Sequence, residues 1–214
     1  MRNAQGVGQQ RLMEAFVMKI RARFIKEGKL KFIGHLDLLR LFQRVIKSAQ
    51  VPIAYSQGFN PHSLLYFAQP LSVGLTSSGE YIDIQLTKKV EIQWIQDQMN
   101  LILPEEIKIK SIWELPEDSQ SAMSLVDAAE YEIMFKKSAI DNGFIEKVNH
   151  FYEKEEILVT RTTKKKQRTI NIKDFIYEIG GKETNEYFII DVILATGSRK
   201  NLNADLFLQP FIQE

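Results

Sequence analysis

The sequence predicts an α+β fold: a ferredoxin-like βαβ-type sandwich, present as two such domains in tandem. Three observations carry this. Over the first half, segments of strand period and helix period follow in the order strand, helix, strands, helix, strand. A shorter cycle of the same kind begins after the break Pro116-Glu117-Asp118-Ser119-Gln120-Ser121. A length of 214 residues also suits two domains of about 100 residues each. The resulting division is a disordered leader over 1–17, a first domain over 18–115, a linker over 116–126 and a reduced second domain over 127–214.

In the first domain, Lys19-Ile20-Arg21-Ala22-Arg23-Phe24-Ile25 alternates basic and apolar residues, as in a strand with one buried face and one wet, cationic face. A helix follows over 36–50, with Leu38, Phe42, Val45 and Ala49 as its apolar stripe and Val51-Pro52 as its stop. Arg40, Arg44 and Lys47 fall on the opposite side. Residues 53–56 read as a short strand or extended arm, 57–62 as a tight loop, and 64–75 as one bent strand or two short ones, interrupted by Pro70 and Gly74. A turn at Ser77-Ser78-Gly79 precedes an alternating strand over 81–86. A helix over 90–103, closed by Pro104, and a strand over 107–112 complete the unit.

The second cycle is expected to place a strand at 129–136, a helix at 142–154 and strands at 156–161 and 169–172. A short helical or irregular piece at 173–179, a strand at 187–194 and a short helix at 202–208 before Pro210 follow. Trp94 and Trp113 read as core residues, and His150 as a surface residue at a helix end.

Composition narrows the function classes. With no cysteine, the chain has no disulfide, thiolate nucleophile or thiolate metal site, which fits a reducing cytoplasm. No apolar run approaches the roughly 18 to 20 residues of a membrane span, so no membrane partner is expected. The net charge of +1 hides an uneven distribution: residues 19–50 hold nine Lys and Arg against two acids, and residues 51–160 hold eight against seventeen. A basic lobe of this kind either is simply solvated or attracts a polyanion.

The candidate binding pocket gathers His35, Asp37, Tyr55, Ser56, Gly58, Phe59, Asn60 and His62. Each has two readings. His35 and Asp37 either sit at a helix start and support it as cap and dipole partner, or meet His62 and handle a proton on a phosphate or base. Phe59 reads first as a core anchor and second as a platform for a stacked base. Two histidines and a carboxylate could also hold a metal, but their spacing is not diagnostic of one, and neither a catalytic residue nor a cofactor is assigned. Candidates for phosphate or RNA contact are Arg21 and Arg23 on the strand, Arg40, Arg44 and Lys47 on the helix, and Arg161, Lys164, Lys165, Lys166 and Arg168 in a basic turn. Thr196-Gly197-Ser198-Arg199-Lys200 lacks the spacing of a phosphate-binding loop.

The ordered runs Gly34-His35-Leu36-Asp37-Leu38, Tyr55-Ser56-Gln57-Gly58-Phe59-Asn60-Pro61-His62, Pro70-Leu71-Ser72-Val73-Gly74 and Glu80-Tyr81-Ile82-Asp83-Ile84 resemble the uncharacterised family of radical SAM-linked proteins, also called domain of unknown function 2344. The resemblance spans residues 18–200 and departs at Ser63-Leu64, where the family pattern has proline and a basic residue. It implies an accessory or substrate-presenting role beside a radical S-adenosylmethionine enzyme, around RNA or ribosome modification. Two other roles stay open: an RNA-processing or RNA-modifying enzyme using histidine acid/base chemistry, and a protein adaptor without RNA.

Overall fold

The computed structural model describes residues 17–139, 143–163, 166–197 and 199–213. Of the expected leader, 1–16 lie outside them. The chain divides into two compact units, Met1–Met123 and Ser124–Glu214. Both mix helices with antiparallel sheet, so the α+β class holds.

Unit 1 runs β1 (Met18–Lys26), α1 (His35–Ser48), β2 (Leu65–Phe67), β3 (Ser77–Leu86), α2 (Ile92–Ile102) and β4 (Ile107–Leu115), with a 3-10 turn at Gly28–Phe32. Its sheet has the order β2-β3-β1-β4, every neighbour antiparallel. The alternation of β1 does what period 2 demands: Met18, Ile20, Ala22 and Phe24 are buried. They pack with Leu38, Phe42, Val45 and Ile46 of α1 and Ile95 and Met99 of α2 in one core. Phe24, Phe42 and Phe67 form its aromatic centre, with ring centroids 4.9, 5.9 and 5.5 Å apart and the rings tilted or edge-on.

At the end of α1, Val51 N–H bonds the Ile46 carbonyl at 3.1 Å and Gln50 N–H bonds that of Lys47 at 3.2 Å, the paired bonds of a Schellman stop. Gln50 takes the left-handed position with φ 54°, which ordinarily favours glycine. The outer edge at β4 is blunted by a side chain: the Asn100 amide accepts from Ile109 N–H and donates to the Ile109 carbonyl, both at 2.9 Å, as a neighbouring strand would.

Unit 2 contains β5 (Ala128–Lys136), α4 (Phe144–Glu153), β6 (Leu158–Thr163), β7 (Lys166–Asn171), β8 (Ile176–Glu183), β9 (Tyr187–Ala195) and α5 (Ala204–Ile212), with a short α3 (Ala122–Leu125) where the units divide. Its strands form a three-stranded sheet, β5-β9-β8, and a separate hairpin, β6-β7. The core is Phe144, Val148, Phe151, Ile190, Val192, Leu194, Phe207 and Phe211 with their neighbours.

Four local expectations are corrected. Residues 176–183 form β8, where a helical or irregular piece was expected over 173–179; Gly180-Gly181 masks its alternation, yet Gly181 lets Ile145 and Val148 of α4 close onto the strand. α5 runs through Pro210 instead of stopping before it, because Phe207 and Phe211 on either side are locked into the core. Ser77–Gly79 belong to β3 and are not a turn before it. Within 64–75, strand is confined to Leu65–Phe67.

The Schellman geometry generates a prediction. Gln50→Gly stabilises unit 1 by about 1 kcal/mol through relief of the left-handed backbone, read as a higher denaturation midpoint in urea with an unchanged slope.

Candidate functional site

α1 positions everything the sequence singled out in unit 1. Its first residue, His35, is half-buried and lays its ring edge-on against Phe67, centroids 5.3 Å apart at 75°. No side chain caps the helix at Gly34, so the capping role expected of His35 and Asp37 is not made by a hydrogen bond. Asp37 stands in the first turn, favoured by the helix dipole, and pairs with Arg40 at 3.1 Å. Both are well exposed, and such a pair contributes little stability.

Two turns further along, Gln43 donates to Ser63 Oγ at 3.0 Å and so fastens the base of the 56–62 loop to the helix. The base is also closed by the Tyr55–Ser63 bridge and by Ser56 N–H on the His62 carbonyl at 2.8 Å. Ser56 Oγ accepts from His62 N–H at 3.1 Å and lies 2.7 Å from His62 Nδ1. Gly58, at φ 120°, makes the bend in a region closed to other residues, and Phe59 next to it is fully exposed at 111%. Phe59 is therefore not a core anchor. Tyr55, at the base of the same loop, is 53% exposed.

The candidates thus separate along α1: His35 and Asp37 at its start, and the loop of Ser56, Gly58, Phe59, Asn60 and His62 against Gln43, about 12 Å up the helix by its rise per residue. Among the described residues, no hydrogen bond or ion pair links His35, Asp37 and His62 to one another. No grouping of three or more His, Cys, Asp or Glu among those residues has the arrangement of a metal site.

The basic candidates also sort themselves. Arg40, Arg44 and Lys47 are exposed on the side of α1 away from its buried stripe. Arg23 is exposed and donates to the Ser78 carbonyl at 3.1 Å. Arg21 is different. Its guanidinium, 8% exposed, holds Asp83 with Nε on Oδ1 at 2.7 Å and Nη2 on Oδ2 at 3.0 Å, and also donates to the Gln120 carbonyl at 3.0 Å. It acts as a structural cation, with its Nε and Nη2 donors committed inside the fold. Lys19 donates to the Ser119 carbonyl at 2.7 Å, so the expected wet cationic face of β1 is half covered by the chain's own segment after β4. In unit 2, β6 and β7 place Arg161 opposite Arg168 on the hairpin, and Arg168 is exposed. Lys164 and Lys165, with the side chains of Arg161 and Lys166, lie outside the described residues. Trp94 and Trp113 are each 37% exposed and so are not core residues as expected. His150 is exposed, as expected.

The sequence reading missed a buried lysine beside the turn into α1, and the half-buried Glu80 whose charge acts on it. Lys26, 1% exposed, donates to the carbonyls of Ile33 at 3.1 Å and Lys31 at 3.4 Å, tying down the turn that leads into the helix. Burial lowers its pKa, and attraction to Glu80 acts the other way. Glu80 lies opposite Phe24 on the core side of β3; burial raises its pKa, against a hydrogen bond from Ser77 and the Lys26 charge. Strand parity was the available signal, since Lys26 shares the face of Phe24 two residues earlier.

A family profile described as "Uncharacterized protein conserved in bacteria (DUF2344)" matches residues 19–204. The chain belongs to this family. The DUF2344 match takes in both units and every motif above except the C-terminal helix beyond residue 204. No curated protein matches the chain. No helix among the described residues is long and apolar enough to cross a membrane.

Two predictions follow from the buried charges. Asp83→Ala strands the Arg21 cation and costs about 3–5 kcal/mol in unit 1, whereas the double change Arg21→Met with Asp83→Leu recovers most of that loss in the same unfolding assay. A folded-state pKa raised above 4.5 means that Glu80 contributes most at acid pH and loses that contribution as pH rises through its folded value. The stability of wild type relative to Glu80→Gln therefore falls as pH rises across that window, measured by thermal unfolding in matched buffers.

Proposed function

We propose that this DUF2344 protein is a non-catalytic, RNA-directed recognition protein that presents RNA to a radical S-adenosylmethionine enzyme in the cytoplasm. One observation carries the RNA half: Phe59 stands fully in water on a loop whose base is closed by the Tyr55–Ser63 bridge and the Ser56–His62 bonds and tied by Gln43 to a helix that exposes Arg40, Arg44 and Lys47. An aromatic ring held out by a fastened loop is a ready stacking surface, and the adjacent cations suit a phosphate backbone. The β1α1β2β3α2β4 order with sheet order β2-β3-β1-β4 supports reading unit 1 as ferredoxin-like.

The partner half rests on the motif resemblance. Support comes from Phe32, Leu36 and Val73, which are 64%, 63% and 60% exposed on segments joined by the bond from Gly74 N–H to the Lys31 carbonyl. Exposed apolar side chains gathered this way suit a protein surface. The reading of the chain as an enzyme needs His35 and His62 together, and the two stand apart, against Phe67 and Ser56 respectively.

Binding to ribosomal RNA over a salt series tests the first half. The affinity is expected to fall steeply with salt, the slope to shrink in Arg44→Gln with Lys47→Gln, and Phe59→Ala to weaken binding about tenfold or more. Absent or salt-insensitive binding removes the RNA claim. Co-purification with a co-expressed radical S-adenosylmethionine enzyme, after nuclease and at high salt, tests the second; it should be lost in Phe32→Asp with Leu36→Asp, and its absence in wild type removes the partner claim.

A further inference from the structure

The outer face of the unit 1 sheet, turned away from α1 and α2, carries a second aromatic array. Register places Tyr66 on β2 opposite Asp83 on β3, Asp83 opposite Arg21 on β1, and Arg21 opposite Trp113 on β4. One row across four strands therefore reads Tyr66, Asp83, Arg21, Trp113. The next row holds Tyr81, opposite Arg23. Tyr66 is 43% exposed, Trp113 37%, and Tyr81 half-buried with its ring edge-on to Trp113 at 6.2 Å.

The strand charges of this face are mostly basic, and the exposed Glu117 and Asp118 precede Ser119 in the segment that crosses it. By register, its strand residues include a single carboxylate, Asp83, and Arg21 closes it off. Arg23 and Lys108 remain exposed, Lys108 standing opposite Ile25. Ile25 and Leu115 are half-buried, so the large apolar side chains most open on the face are the aromatic ones. Rings beside exposed cations suit flat, polyanionic ligands better than an aliphatic protein surface.

We propose that this face is a stacking surface for unpaired bases of single-stranded RNA, with Tyr66, Tyr81 and Trp113 meeting bases and Arg23 and Lys108 meeting phosphates. The site deepens the RNA reading above and rests on it. The segment of Ser119, Gln120 and Ala122 lies across the middle of the face, held by Lys19, Arg21 and Asp83. It divides the surface and leaves Tyr66 and Trp113 open at its two sides.

The test is a fluorescence titration of the full chain with short oligouridylate. Trp94→Phe leaves Trp113 as the single tryptophan of the two in the chain. Binding is expected to quench Trp113 emission; Tyr66→Ala and Trp113→Ala each weaken affinity about five- to a hundredfold, with Trp113→Phe retaining most of it and thermal midpoints unchanged. The face is excluded if wild type binds and Phe59→Ala weakens binding while Trp113 emission and the Tyr66→Ala affinity stay as in wild type; the RNA reading then stands. A wild-type chain that binds no oligonucleotide overturns both.

Discussion

The buried contact between Arg21 and Asp83 is the constraint on which unit 1 is organised. It joins the two central strands of the sheet, β1 and β3, through two parallel hydrogen bonds. Two charges can remain in so dry a place because their other groups are also satisfied: Arg21 reaches the Gln120 carbonyl, and Asp83 accepts Ala122 N–H at 2.8 Å. The pair therefore fixes more than register. It holds the chain leaving β4 against the sheet, so residues 119–122 are a fastened strap where composition suggested a free linker.

That arrangement moves the functional weight of the basic lobe. Of the nine cations between residues 19 and 50, Arg21 and Lys26 lie in the interior and Lys19 is bonded to the strap. A net charge counted along the sequence treats all nine alike, although desolvation and hydrogen bonding have removed three from the surface offered to a partner. The exposed cations that remain on α1 stand near a loop that exposes an aromatic ring. The two histidines stand apart, His35 against Phe67 and His62 against Ser56.

Much of the fold was legible because long periodic segments leave little choice. The alternation of β1, the stripe of α1 and the apolar run of β9 can be buried in one orientation, and their observed bounds differ from the expected ones by a residue or two. Reading failed where a local signal was outvoted. Gly180-Gly181 looks like a break, but the missing side chains are what allow α4 to pack on β8. Pro210 looks like a stop, but Phe207 and Phe211 hold the helix on both sides of it.

The site was legible in its parts and not in its arrangement. Sequence alone determined that 34–62 is a helix start, a basic helix and a glycine-bent loop, because capping geometry, periodicity and turn chemistry are local properties. It also determined family membership, since the ordered motifs are themselves the signal. Tertiary structure alone decided that His35 faces Phe67, that Phe59 stands in water, and that Arg21 is sealed against Asp83 while Arg23, two residues on, is open. Those outcomes depend on which strand lies beside which and on what crosses the sheet. Partners of this kind are distant in sequence, 62 residues apart for Arg21 and Asp83, and no periodicity reports them.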